Sequence, residues 1–116
     1  MEKKSLEIQY DNLVGLLRSE RNDKGFWSGR LSSSALGTAV AIVALKINED
    51  KSDYKLITNG LDWLVNQINI DGGFGDTPES KSNVSTSLLS YAAISYCCEG
   101  SEQSTKSLQS IESYLN

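Results

Sequence analysis

The property that most constrains this chain is that it repeats itself. Placing Leu17 over Leu64 also puts Leu16 over Trp63, Gly25 over Gly72 and Trp27 over Phe74, always 47 residues apart. Past those aromatics the spacing becomes 49, with Ser34 over Asn83, Thr38 over Ser87, Ala44 over Ala93 and Leu45 over Ile94. The two added residues fall in the loop around Pro78, where insertions are tolerated because loops run over the surface. A third copy begins at Ser104, whose Leu108, Ile111, Tyr114 and Leu115 keep helical spacing. A period of this length means that each unit is one supersecondary element that stacks on its neighbours to bury a core.

Each unit is predicted to be a pair of helices of different character. The first helices, over about 6–21 and 54–69, are amphipathic: Tyr10, Leu13, Val14 and Leu17 line one face, as do Ile57, Gly60, Leu61, Leu64 and Ile68. They read as outer helices with one wet face. The second helices are apolar around most of their circumference, as in Leu36, Ala39, Val40, Ile42, Val43, Leu45 and Ile47. That pattern predicts inner helices buried on several sides, and Ala35, Gly37, Ala39, Ala41 and Ala44 let neighbours come close. Ser52 or Asp53 is expected to N-cap the third helix, Ser82 or Asn83 the fourth and Ser101 the fifth. Gly100 stands where the fourth helix should end in a left-handed residue. The expectation is an all-α chain of five helices, forming one helical-repeat domain over 1–116. Repeat 1 spans about 6–48, repeat 2 about 53–98, and a third starts over 104–116. A chain of 116 residues is too short for two sizeable cores.

Composition excludes more than it includes. Histidine is absent, so no Ser-His or Cys-His nucleophile pair and no zinc site that needs an imidazole can be assembled. The net charge of −4 and the lack of basic clusters argue against nucleic-acid partners. MEKKSLEIQY has a basic start but no apolar run of the kind a secretory signal carries. The longest apolar run, Ala39 to Leu45, is far short of the roughly 20 residues that span a bilayer. A soluble, cytoplasmic protein without cofactor or metal is expected. Cys97 and Cys98 are adjacent and have no other cysteine to pair with, which reads as buried free thiols.

The stretch DGGFGDTPES invites functional readings that its spacing does not support. A dinucleotide fingerprint needs G-x-G-x-x-G after a strand, and here Gly73-Phe74-Gly75 runs into Asp76, Thr77 and Pro78 after a helical segment. A calcium β-roll needs tandem copies of G-G-x-G-x-D, and a phosphate loop needs Gly-Lys-Ser/Thr. The glycines instead read as reversals between antiparallel helices, where positive φ is needed. Trp27 and Phe74 would fold back onto helix ends as apolar plugs. Gln67 would hydrogen-bond backbone groups left open at a neighbouring helix end, and Glu20, its counterpart, could only accept. Asn83-Val84-Ser85 is formally a glycosylation sequon but reads as a helix cap. Asp71, Asp76 and Glu79 read as solvated loop carboxylates.

The pattern Trp63-Leu64-x-x-Gln67-x-x-x-Asp71-Gly72-Gly73-Phe74-Gly75-Asp76 resembles the QW-type repeat of squalene-hopene cyclases, other class II terpene cyclases and protein prenyltransferase β subunits. Gly25-Phe26-Trp27-Ser28-Gly29 looks like a second copy, and the likeness runs from Leu13 to Ile94. Together with SNVSTSLL it is most similar to the N-terminal part of bacterial squalene-cyclase-like proteins. The resemblance implies an α/α toroid, in which about six hairpins of inner and outer helices enclose an apolar cavity for an isoprenoid chain. Here it implies about two and a half hairpins, an incomplete barrel. It also implies that Gly25, Trp27, Trp63, Gln67, Asp71, Gly72, Gly73, Phe74 and Gly75 brace the repeats, with no catalytic residue among them. The Asp-x-Asp-Asp acid of the cyclases is missing, and so is the histidine that prenyltransferases use for zinc. The expected function is therefore part of an isoprenoid cavity wall without its own acid. The alternative is a non-catalytic repeat module that binds another copy of itself or a partner protein. The open end would belong to a longer chain, to a homo-oligomer or to a ligand-binding groove.

Overall fold

A computed structural model describes residues 3–116, and among them are five α-helices, one short 3-10 turn and no strand. The all-α expectation is met. The chain forms two compact units, one ending at Leu31 and the other running Ser32–Asn116.

The first unit contains α1 (Lys3–Ser19) and a turn. Helix α1 stops a little before the predicted Arg21, with the Ser19 hydroxyl donating to the Leu16 carbonyl at 2.7 Å. Arg18 in the last turn suits the negative end of the helix dipole. No residue of α1 is buried, and Leu6, Tyr10, Leu13 and Leu17 are all exposed. This corrects the expectation of one covered face. An apolar stripe is buried only against another element, and this unit has no second helix to offer.

The second unit contains α2 (Ala35–Asn48), a 3-10 turn (Lys51–Asp53), α3 (Tyr54–Val65), α4 (Val84–Cys97) and α5 (Glu102–Leu115). Helix α2 packs on α4, α3 lies against both, and α5 packs on α4 and α3. The expected caps of α4 and α5 form, and Ser34, which the sequence pattern did not single out, caps α2. The hydroxyl of Ser34 accepts from Gly37 N at 3.0 Å, the carboxamide of Asn83 from Thr86 N at 2.9 Å, and the hydroxyl of Ser101 from Ser104 N at 3.1 Å. Each extended cap residue satisfies a donor the helix itself leaves open.

The start of α3 differs from expectation. Asp53 is already helical and makes no side-chain cap, while Asp50 accepts from Ser52 N at 2.8 Å and caps the 3-10 turn. A chain entering α3 from a helical turn has no extended residue from which a side chain can reach forward. Helix α3 also ends at Val65, short of Asn69. Its last turn tightens, with Asn66 N donating to Trp63 O and Gln67 N to Leu64 O, three residues back. Gly100 has φ +80°, but α4 has already ended at Cys97. The left-handed residue therefore shapes the link into α5.

Phe74, Leu64, Ile94 and Ile111 are the largest fully buried side chains, joined by Ile42, Ile57 and Val65. Close approach is built in: a methyl at Gly60 of α3 would lie 2.5 Å from Ile42 Cγ2 of α2. Cys97 is buried and Cys98 half-buried, both free, and burial pushes the Cys97 thiol above its ordinary range. Neither inner helix is buried on several sides as expected: α4 buries Thr86, Ser87, Ser90, Ala93, Ile94 and Cys97 along one face and exposes Val84, Leu88, Leu89 and Tyr96, and α2 buries Ala35, Ala39 and Ile42 and exposes Leu36, Val40 and Ile47.

Candidate binding surface and its repeat turns

The turn between α3 and α4 is held by an interlocking set of hydrogen bonds. Gly72 N donates to Asn69 O and Asn69 N to Gly73 O, both at 2.9 Å, closing a loop around Gly72 at φ +87°. A non-glycine residue is strained in that conformation, and a Cβ on Gly72 would also lie 2.6 Å from the Ser110 carbonyl of α5. Asp71 accepts from Gly73 N at 3.0 Å and from the Ser82 hydroxyl at 2.6 Å, closing one end of the loop on the other. Asn69 reinforces this through its amide to Ser82 Oγ (2.9 Å) and Ser80 O (3.2 Å).

Phe74 then enters the core with its backbone fully occupied. Its N–H donates to Ser87 Oγ at 2.9 Å and its carbonyl accepts from Asn83 N at 2.9 Å. Asp76 ties the starts of both inner helices together. Its carbonyl accepts from Ala35 N of α2 at 3.1 Å, and its carboxylate accepts from Asn83 Nδ2 (2.9 Å) and Thr86 Oγ1 at the start of α4. Hydrogen bonds from Ser82 and Gly73 hold the Asp71 carboxyl below its ordinary value of 3.8, and those from Thr86 and Asn83 do the same for Asp76. These carboxylates are engaged, which corrects the reading of Asp71 and Asp76 as simply solvated.

The turn after α1 has the same backbone plan. Gly25 N donates to Asn22 O and Asn22 N to Phe26 O, again at 2.9 Å, around Gly25 at φ +86°. Trp27 folds back so that its indole N–H reaches the Leu17 carbonyl at 2.6 Å. It is nonetheless 50% exposed, against 0% for Phe74. Trp63 packs half-buried against the core. The half-buried Gln67 side chain has no hydrogen-bond partner among the described residues, and Glu20 is exposed. The start of α4, the helix that follows, is capped by Asn83 at Thr86 N.

The two inner helices, aligned by the 49-residue spacing, leave the same side uncovered. Val40 and Ile47 of α2 stand where Leu89 and Tyr96 stand in α4, and all four are exposed. Leu36 extends the stripe on α2, and Ala92 of α4 lies exposed between Leu89 and Tyr96. Sequence patterning did not isolate this stripe, because a helix apolar all round does not say which side will stay open. A half-open cleft of about 750 Å³ lies at the far end of these helices, between α3, the end of α4 and the start of α5. Leu45, Ile57, Leu61 and Val65 form its apolar lining, with Glu49 and Glu99 among its polar residues.

Inner and outer helices stacked in repeat within Ser32–Asn116, with the same glycine turn at Gly25 and Gly72 and an apolar side left open on α2 and α4, define a repeat protein of the α/α-toroid type. The squalene-hopene cyclase N-terminal domain family matches residues 11–113, and the chain belongs to that family. No curated protein and no solved structure matches the chain. No helix among the described residues is long and apolar enough to cross a membrane.

Proposed function

We propose that the chain is a terpene-cyclase- or prenyltransferase-like repeat segment whose inner helices form part of the wall of an apolar cavity for an isoprenoid chain, without a catalytic acid of its own. The observation that carries this reading is the stripe of Leu36, Val40 and Ile47 on α2 and Leu89 and Tyr96 on α4, repeated in one register and open to solvent. Single exposed apolar residues are ordinary, but a stripe that recurs at equivalent repeat positions marks a surface meant to be covered by something apolar.

The absence of an acid is supported by the state of the carboxylates. A group that protonates an alkene must hold its proton near neutral pH, which calls for a raised pKa. Asp71 and Asp76 are shifted the other way and spend their oxygens on the turn. In this reading Gly25, Trp27, Trp63, Gln67, Asp71, Gly72, Gly73, Phe74 and Gly75 brace the repeats and do not touch the ligand.

Farnesol binding by equilibrium dialysis, with squalene turnover followed by mass spectrometry, tests the proposal. The chain is expected to retain farnesol and to form no cyclised product. Val40→Asp and Leu89→Asp should each weaken retention by about tenfold or more, since each removes roughly a buried side chain's worth of apolar contact. Cyclisation of squalene would contradict the acid-free reading, and unchanged farnesol retention in both variants would contradict the wall.

A further inference from the structure

The cleft at the far end of the inner helices is built by one unit from elements that already pack together. The ends of α2 and α4, the length of α3 and the start of α5, with the links that join them, supply its lining, all within Ser32–Asn116. It is a hollow between packed helices, not a side left without a partner. Its volume of about 750 Å³ falls within the range of small-molecule pockets.

Its floor and its rim differ in chemistry. Ile57 and Val65 are buried and Leu45 and Leu61 half-buried, so the floor is apolar. Cys97 adds a buried thiol, which burial keeps uncharged. Around them stand Glu49, Asp50, Asp62 and Glu99, all exposed, against two ammonium groups, those of Lys46 and Lys51. None of these six is held in an ion pair, since the one ion pair among the described residues joins Lys106 to Glu102. The rim is therefore negative. The Tyr54 hydroxyl donates to Glu99 Oε2 at 3.5 Å, which sets an aromatic ring beside a carboxylate at the mouth of the cleft. That pairing suits an alkylated ammonium, which is drawn both to the ring and to the negative charge. We infer that the cleft binds a small amphiphilic cation, with its apolar chain on Leu45, Ile57, Leu61 and Val65 and its ammonium at Tyr54, Asp62 and Glu99. The site is separate from the stripe on α2 and α4, and the inference does not depend on the isoprenoid reading.

Titration of the full chain with octyltrimethylammonium, followed by amide shifts in NMR, tests it. Binding should saturate at one cation per chain and move the Leu61, Val65 and Cys97 amides, while those of Leu36 and Val84, at the opposite ends of α2 and α4, stay in place. Octanoate, with an apolar chain of similar length and the opposite charge, should bind about tenfold more weakly or worse. Asp62 and Glu99 are exposed, so Asp62→Asn combined with Glu99→Gln keeps the fold and should weaken cation binding by about fivefold, the sum of two screened charge contacts. Farnesol retention by this double variant should equal that of wild type, and a parallel loss would contradict a separate site. Absence of saturable binding by the cation would overturn the inference. So would octanoate binding as tightly, an unchanged cation affinity in the double variant, or shifts confined to Leu36 and Val84.

Discussion

The turns at Asn22–Trp27 and Asn69–Phe74 are built alike and end differently. Both close through the same pair of 2.9 Å backbone hydrogen bonds around a left-handed glycine. Yet the aromatic that follows is half exposed in one and wholly buried in the other. The backbone of such a turn is thus set by a few neighbouring residues, whereas the fate of its aromatic is set by what packs over it. Phe74 is clamped by Ser87 and Asn83 from α4. Around the second turn, a methyl on Gly72 would strike Ser110 and one on Gly73 would come 2.9 Å from Tyr114 Cδ1, both residues of α5. Around Gly25 a methyl would meet nothing within 4 Å.

If this contrast is right, truncating the two aromatics should have very unequal effects. Phe74→Ala is expected to destabilise the main denaturant transition by about 3–5 kcal/mol, the usual cost of emptying a buried Phe site. Trp27→Ala should leave that transition within about 0.5 kcal/mol, as exposed substitutions do. Comparable losses would break the comparison.

The glycines give the next largest difference. Gly25→Val is expected to cost its own turn about 1–2 kcal/mol for a left-handed residue with a Cβ, read by Trp27 fluorescence. Gly72→Val carries that strain and a collision with the Ser110 carbonyl, so its loss in thermal unfolding should exceed that of Gly25→Val. Equal losses would mean that packing against α5 adds nothing.

Ser87→Ala sharpens the contrast at a single hydrogen bond. Removing the acceptor leaves the buried Phe74 N–H unpaired, at an expected cost of about 1–3 kcal/mol in urea titration.

Acid supplies the smallest test. Asp71 and Asp76 have depressed pKa values in the fold, so their contribution is complete above the ordinary carboxylate value of 3.8. It is lost as pH falls below that value toward the folded pKa. The unit spanning Ser32–Asn116 should therefore weaken below about pH 4, and Asp76→Asn should flatten that dependence. The first turn has Lys24 and Gly29 in place of Asp71 and Asp76 and should show no such acid response in Trp27 fluorescence.

What was legible in the sequence was local. Asn83 and Ser101 cap their helices through side-chain contacts only three residues long, and Gly25 and Gly72 sit in the left-handed conformation that the repeat spacing led one to expect. The all-helical fold could be read from the helical periodicity, and the family from the resemblance of the Trp63–Asp76 pattern to the QW-type repeat. What was not legible depended on neighbours: Gln67 makes no side-chain hydrogen bond among the described residues, and Asp76 reaches across to Ala35 of α2. The open side of α2 was hidden for the same reason, since an all-apolar helix records that it can be buried and not on which side.

Native-state amide hydrogen exchange tests most directly the central claim, that one turn plan occurs twice and that α4 and α5 seal the second turn within its own unit. Asn69 and Phe74 amides should exchange only when the Ser32–Asn116 unit unfolds as a whole, at least about 100-fold more slowly than Asn22 and Trp27, which open locally. Equal protection of the two pairs would contradict the account.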